Sequence, residues 1–273
     1  MKDKLKSFLY LSPLLIFFFV VLLYPMFNVF YVSISDFGLL NTLSLFKPGS
    51  YALKSLIFTF KTAFISTLLA TVIGYSIALF LVMTKAYTNT IIQLLRIPLF
   101  VPYIVIGFMW RDLLQPQGYI SVILNSILNA LGLENYNFIG KGIAINLAHL
   151  YLYLPMIFII SYADLSKIKP EIVEAARSLG AGKWTIITKI YLPLTWKSLI
   201  TASSVVFLAA FVGVSIPLIL SSNPTYFPVY IYYIINNEFD PVKASAVSFI
   251  FVLISITLGY LYFYLSIKLR KGE

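Results

Sequence analysis

Residues 169–193 read KPEIVEAARSLGAGKWTIITKIYLP and form a short polar stretch between long apolar ones. Pro170 suits the first turn of a helix, and Glu171 lies where a carboxylate is favourable for the helix dipole. One face of this helix carries four apolar side chains, those of Ile172, Ala175, Ala176 and Leu179. Gly180 stands where a helix commonly ends in a left-handed turn.

A second short helix is then expected, ended by Pro193. It would bury the side chains of Trp184, Ile187 and Tyr191. The stretch predicts two amphipathic helices joined by a glycine turn.

The composition of the 273-residue chain indicates an integral membrane protein. It is 60% apolar, 17% aromatic and only 11% charged, whereas a soluble domain carries roughly 25% charged residues. Its mean hydropathy is +0.91, and disorder requires low hydrophobicity, so a disordered chain is excluded as well. The absence of cysteine and the presence of one histidine exclude disulfide frameworks, thiolate metal sites and multi-histidine metal centres. We therefore expect no bound metal.

The apolar runs predict an all-α fold with six membrane spans. A hydrocarbon core about 30 Å thick needs roughly 20 apolar helical residues to cross it. Six stretches approach or exceed that length, at residues 8–32, 55–82, 91–113, 143–163, 198–220 and 244–267. The first exceeds the apolar core of a signal peptide, so we expect a retained span. Pro98 and Pro102 in the third predict a kink. We expect residues 1–273 to form a single transmembrane domain.

The distribution of basic residues predicts the orientation of the chain. Lysine and arginine are enriched in short cytoplasmic loops of membrane proteins. The net charge of +10 is concentrated beside alternate spans, which indicates topology and not nucleic-acid binding. The basic residues on the side predicted to be cytoplasmic are Lys2, Lys4, Lys6, Lys85, Lys167, Lys169, Arg177, Lys183, Lys189, Lys197, Lys268, Arg270 and Lys271. Both termini and the loop 164–197 are therefore expected to face the cytoplasm from the cell membrane.

The sequence lacks the motifs of the common catalytic sites. A Walker loop needs G-x-x-x-x-G-K-[ST] to hold phosphates. The nearest match, at residues 180–184, lacks the leading glycine and has Trp184 in place of the hydroxyl residue. There is no H-E-x-x-H motif, no carboxylate pair and no serine–histidine arrangement at membrane depth. We expect a chain that is not an enzyme and that binds no cofactor.

Several polar residues at membrane depth are candidates for a solute pathway. They are Asn146, His149, Ser203, Ser204 and Ser215. Small hydroxyl residues in spans also serve helix packing, and a lone histidine is more often a hydrogen-bonded interior residue than a proton relay. A secondary transporter usually needs ionisable groups within the membrane, and no acidic residue lies centrally in a span. A sodium site built from backbone carbonyls remains open on sequence.

The loop 164–197 resembles the EAA loop of ABC importer permeases. Glu174-Ala175-Ala176, Gly180 four positions further, and Ile190-x-Leu192-Pro193 match that loop at full spacing. The resemblance extends to Leu11-Ser12-Pro13 and Tyr24-Pro25 in the first span and to Trp110-Arg111 in the third. The chain is similar to the transmembrane subunit of a binding-protein-dependent ABC importer, nearest the carbohydrate group.

This resemblance implies a function and partners. The loop would be a coupling helix-turn-helix that docks on a cytoplasmic ABC ATPase dimer, and the partner ATPases would use ATP and Mg. The coupling residues would be Glu174, Ala175, Ala176, Gly180, Ile190, Leu192 and Pro193. A second permease chain, preferably a different one, and an extracellular solute-binding protein would complete the importer.

The resemblance implies a sugar as the solute. Ser221-Ser222-Asn223-Pro224 departs from the Gly-Gly-Pro of many sugar permeases, so import of a polyamine, iron, thiamine or an oxyanion is the alternative. An ATP-independent secondary carrier is the second alternative.

Overall fold

The computed structural model describes residues 2–84 and 88–271. Its α-helices are α1 Lys2–Phe18, α2 Tyr24–Val32, α3 Leu39–Ser44, α4 Tyr51–Thr84, α5 Thr88–Arg96, α6 Tyr103–Leu114, α7 Tyr119–Ala130, α8 Gly142–Leu165, α9 Pro170–Ser178, α10 Lys183–Ile186, α11 Leu192–Val212, α12 Ser215–Leu220, α13 Phe227–Tyr233 and α14 Pro241–Lys271. Four π-helical turns, Phe19–Leu23, Ser33–Phe37, Ile187–Tyr191 and Ile234–Glu238, and one 3₁₀ turn, Ile97–Phe100, interrupt or extend these helices.

The long helices confirm the all-helical membrane class. Five of them are apolar enough to cross a membrane: Tyr10–Phe37, Tyr51–Thr84, Gly142–Leu165, Lys183–Val212 and Pro241–Lys268. A sixth span is obtained when Asn89–Phe100 and Tyr103–Ala130 are taken together. The described part of the chain contains no β-strand, only an isolated bridge between Gly140 and Ser221. Lys85, one of the cations used to predict orientation, lies outside the described residues.

The third predicted span, at residues 91–113, is not one continuous helix. The chain bends by 101° between Asn89–Phe100 and Tyr103–Ala130. Val101 between them has an extended backbone, with φ −90° and ψ 128°, because the ring of the following Pro102 disfavours the helical conformation of the residue before it. The two prolines therefore produce a break where the sequence predicted a kink.

The fifth predicted span, at residues 198–220, begins earlier and ends earlier than expected. The helical run extends from Lys183 to Val212, so Pro193 does not break it. The π turn before Pro193 lets the amide of Leu192 donate to the carbonyl of Ile187, and the proline, which has no amide hydrogen, follows at the start of α11. The run ends where Gly213 becomes extended, and the short α12 follows.

The described residues form two compact units. The first comprises residues up to Lys54 and Tyr230–Ile254, and the second comprises Ser55–Val229 and the residues from Ser255 onward. In the first unit, the rings of Phe30 and Phe249 pack edge to face at 5.0 Å. The expectation of a single domain remains a prediction.

Helices α4, α8 and α11 are joined at close range within the second unit. The hydroxyl groups of Tyr75 and Thr195 lie 2.9 Å apart, and those of Thr71 and Ser203 lie 2.8 Å apart. Gly74 allows α4 to approach α8, since a β-carbon at this position would lie 3.1 Å from Ile157 Cβ. Small residues and hydroxyl pairs are the usual means by which helices associate in a membrane.

This close approach predicts the effect of enlarging Gly74. The Gly74→Leu variant should lose roughly 1–3 kcal/mol of stability because the new side chain overpacks the contact with α8. A lower midpoint of thermal unfolding in detergent measures the loss. The matched control is Gly259→Leu, since a β-carbon at Gly259 meets no atom within 4 Å. Equal midpoints for the two variants would contradict the packing assigned to Gly74.

Candidate functional site

Helix α9 packs against the rest of the second unit mainly through the side chain of Val173. Val173 is only 7% exposed and belongs to an apolar cluster, here called the anchoring cluster. The other buried members of that cluster are Tyr75, Ala78, Leu81, Phe158, Leu165, Ile186 and Tyr191. Ala176 packs against the same cluster from α9. The helix begins at Pro170, with Glu171 in its first turn, as the sequence predicted.

The turn after α9 is a Schellman motif. Gly180 has φ +83°, the left-handed conformation predicted for it. The amide of Gly180 donates to the carbonyl of Arg177 at 2.9 Å, and the amide of Ala181 donates to that of Ala176 at 3.0 Å. These two bonds satisfy the last carbonyl groups of the helix and close it rigidly. Ala181 and Ala176 both pack against the anchoring cluster, which fixes the turn to the membrane-embedded helices.

The apolar end of this segment points outward. Leu179 is 89% exposed and Trp184 is 78% exposed. The expectation that Trp184 would be buried is therefore wrong. Ile186, which is 1% exposed, takes the inward position in α10. It lies two positions after Trp184, so the two side chains point to different faces of the helix. The exposed end is an apolar surface of the kind that marks interaction sites.

The other predicted coupling residues lie around this exposed end. Glu174 and Ala175 are exposed on α9, and Ile190 packs against the anchoring cluster from the π turn. Leu192 and Pro193 are exposed at the start of α11. Within residues 2–84 and 88–271, Glu174 has no cationic partner at ion-pair distance. Its carboxylate is therefore available for a contact outside this chain.

Two of the polar candidates in the spans belong to an interhelical packing site. The hydroxyl of Ser66 on α4 donates to Asn146 Oδ1 at 2.9 Å and lies 3.4 Å from His149 Nδ1. His149 is 1% exposed, and its ring packs edge to face on those of Tyr153 and Tyr226. Asn146 and His149 thus join α8 to α4 in the interior of the second unit.

Two other candidates line an open groove on the second unit. The groove, here called the aromatic groove, has a volume of about 450 Å³ and lies between α4, α11 and the end of α14. Ser203 and Ser204 line it together with Phe60, Phe64, Phe207 and Tyr262. None of the described residues that line it is charged. Ser215 lies apart from it, partly buried at the start of α12.

Sequence reasoning missed the partners of these residues. Ser66, Thr71 and Thr195 are all in the second unit and hydrogen-bond across helices. The only sequence signal for these partners is a hydroxyl residue within an apolar run. That signal does not show whether the hydroxyl bonds to another helix or to the backbone of its own helix. Among the described residues no three histidine, aspartate or glutamate side chains come close enough to hold a metal ion.

Comparison with known proteins identifies relatives of this chain. A family model described as "Binding-protein-dependent transport system inner membrane component" matches residues 89–271. A ferric transport system permease protein of Actinobacillus pleuropneumoniae is 26% identical over 248 residues, which is 89% of this chain and 35% of the relative. The chain therefore spans about a third of that relative's length. A trehalose/maltose transport system permease protein of Thermococcus litoralis is 27% identical over 210 residues, or 72% of this chain and 70% of the relative.

A solved structure supports the fold. One chain of a bacterial ABC transporter involved in the import of the acidic polysaccharide alginate matches with a TM-score of 0.78. The match covers 98% of this chain and 96% of that one at 19% identity. At this identity the similarity concerns the fold alone.

The Schellman motif predicts a difference between two neighbouring glycines. Gly180→Val should destabilise the turn by about 1–3 kcal/mol, because a β-branched residue is strained in the left-handed conformation. Gly182→Val is the matched control, since Gly182 has φ −71° and a β-carbon there meets no atom within 4 Å. Hydrogen exchange of the backbone amides of residues 170–183 is the measurement. Faster exchange in Gly180→Val alone is expected, whereas equal exchange in both variants would refute the motif's role.

Proposed function

Because this chain belongs to the family of inner membrane components of binding-protein-dependent transport systems, we propose that it is the permease subunit of an ABC importer. In this role it forms a solute pathway and transmits the energy of ATP hydrolysis from separate subunits. The feature that best supports the role is α9 with its Schellman turn and the exposed apolar residue that precedes Gly180, Leu179. The chain itself is then a non-catalytic subunit.

In this proposal α9 docks in a cleft of a cytoplasmic ATPase. Ala175 permits close approach of the partner, and Glu174 makes charge-assisted hydrogen bonds to it. Val173 and Ala176 pack on the anchoring cluster, so a displacement of α9 would pass directly to α4, α8 and the run that contains α11. The basic loop residues favour the orientation in which both termini and this segment face the cytoplasm.

The partners of this chain are proposed on the same basis. An ATPase dimer would use ATP and Mg on the cytoplasmic side, and an extracellular solute-binding protein would deliver the solute. A second permease subunit would complete the pathway, and a different chain is preferred to a second copy.

A charge reversal on α9 tests the docking. Glu174→Lys should reduce the ATPase recovered with this chain by more than about tenfold, since removal of one partner of a buried charge contact costs 2–5 kcal/mol. The measurement is mass spectrometry of the proteins that co-purify from native membranes. Glu171→Lys makes the same charge change in the first turn of the same helix and should retain the ATPase. Full recovery with Glu174→Lys, or uptake that survives ATP depletion, would refute the proposal and favour a secondary carrier.

The aromatic groove is the proposed part of the solute pathway on this chain. It is an open groove and not an enclosed cavity, which suits a pathway that a second permease subunit closes. The hydroxyl groups of Ser203 and Ser204 donate to the backbone of α11, so their oxygens can serve the solute as acceptors. Phe60 and Phe207 offer aromatic faces. Asn146, His149 and Ser215 do not line the groove, and for the first two an interhelical packing role is the better assignment.

The chemistry of the groove favours a neutral solute such as a sugar. Hydroxyl groups and aromatic rings bind sugars by hydrogen bonds and stacking, whereas a polyamine or a ferric ion calls for anionic groups. The trehalose/maltose relative is consistent with a sugar, and the ferric relative keeps iron as an alternative. Import of a polyamine, thiamine or an oxyanion is less well supported by this uncharged lining.

Filling the groove tests the pathway and the solute together. Ser204→Trp should lower ATP-dependent uptake by more than about tenfold while the ATPase remains bound, because the indole occupies the space between the aromatic side chains. Val205→Trp is the matched control, since Val205 is the next residue and does not line the groove. Uptake is measured with a neutral disaccharide, spermidine and ferric iron in parallel. Equal inhibition by both variants would show that the groove is not part of the pathway. Uptake of iron alone would show that the solute is iron and not a sugar.

A further inference from the structure

A second groove lies near the same end of α4 as the anchoring cluster, and the solute pathway does not explain it. This groove, here called the basic groove, has a volume of about 710 Å³, within the range of roughly 300–1,000 Å³ typical of ligand-binding clefts. One wall is the last part of α4, from Thr71 to Thr84, and the other is formed by Trp184, Ile187 and Leu192. Most of the lining side chains are apolar.

Hydrogen bonds between helices hold the walls of the basic groove together. The hydrogen bonds Tyr75–Thr195 and Thr71–Ser203, at 2.9 and 2.8 Å, join α4 to α11 along the groove. These interhelical bonds are partly or fully buried and hold α4 against α11, so the cleft is preformed. A preformed cleft lowers the entropic cost of binding.

Two cations stand among the residues that line the groove. Arg177 and Lys183 are both exposed and both line it, with Trp184 beside them. In the described part of the chain neither has a carboxylate oxygen within 4.0 Å. None of the described residues that line the groove is acidic, although Glu174 lies one turn from Arg177 on the same helix. The groove thus combines an apolar cleft with two unpaired positive charges.

We propose that the basic groove binds an anionic phospholipid, with the phosphate between Arg177 and Lys183 and an acyl chain along α4. The helix from Thr71 to Thr84 is about 20 Å long, which exceeds one leaflet of a hydrocarbon core about 30 Å thick. Basic pockets between membrane helices bind anionic headgroups, and tryptophan favours the boundary between headgroups and hydrocarbon. A position of Trp184 at this boundary accounts for the 78% exposure of its side chain. The inference requires only that these helices cross a bilayer, so it is independent of transport.

The test measures which lipids remain on the protein. The chain is reconstituted in nanodiscs of equal parts phosphatidylglycerol and phosphatidylcholine and re-extracted, and the retained lipids are quantified by mass spectrometry. The expected result is enrichment of phosphatidylglycerol. Arg177→Gln and Lys183→Gln should each weaken its retention about fivefold, the effect of one cation near an anionic membrane surface. Lys189→Gln is the matched control, since Lys189 is exposed on the same helical run but does not line the groove.

A second pair of variants tests the apolar part of the site. Ser76 is exposed and lines the groove, so Ser76→Trp should expel the acyl chain and abolish the enrichment while both cations remain. Ile65→Trp, on an exposed part of α4 outside the groove, should leave it unchanged. Variants are compared after each is shown to elute as a single species with the wild-type unfolding midpoint.

Three results would overturn the proposal. The first is retention of the two lipids in equal amounts by the wild-type chain. The second is an equal loss with Lys189→Gln, which would indicate a diffuse basic surface. The third is displacement of phosphatidylglycerol by millimolar inorganic phosphate together with no effect of Ser76→Trp, which would indicate a free-anion site. Because the readout is lipid retention, the proposal can fail or hold whether or not the ATPase docks on α9.

Discussion

Hydrocarbon offers no hydrogen-bond partners to the backbone, and the rest of this structure depends on that constraint. Every amide and carbonyl within the spans must be satisfied by the chain itself, which is why the described residues are helical wherever the sequence is apolar. The exceptions occur at proline and glycine. Pro98 lies in the 3₁₀ turn Ile97–Phe100, and Pro102 follows it at a bend of 101°. Gly213 ends the run that contains α11. The irregular backbone is thus confined to short breaks between hydrogen-bonded helices.

The hydroxyl pairs between α4 and α11 connect the two regions assigned to function. Tyr75–Thr195 lies beside the anchoring cluster that holds α9, and Thr71–Ser203 lies at the aromatic groove. Because Tyr75 and Thr71 are one turn apart on α4, the two hydrogen bonds hold the same stretch of α4 against α11. In the proposed function, these contacts would carry a movement of α9 to the aromatic groove.

The sequence predicted features whose cause is local. Gly180 adopts a left-handed turn because the helix ends there, and Pro170 starts α9 for an equally local reason. Features that depend on distant partners were not predictable. Trp184 faces outward because Ile186 takes the inward position, where it packs on cluster residues of α4 and α8 that are distant in the sequence. Ser203 is paired with Thr71, which lies 132 residues away. A single sequence carries no information about such pairings. Sequence reasoning could therefore propose the candidate pathway residues, but it could not separate those that line the groove from those that join helices.

The π turn at Ile187–Tyr191 has a further consequence for the geometry of the run that contains α11. Ile186 and Tyr191 are both buried, although they are five positions apart and would point roughly 140° apart in a regular α-helix. The wider π turn changes the angle between the two side chains and brings both of them onto one face of the helical run. Beyond it, Thr195, Ala202, Val206 and Ala210 continue the buried face at intervals of four or seven residues. Deletion of one residue from this turn would rotate everything that follows by about 100° relative to the loop, so the run tolerates substitution here far better than a change in length.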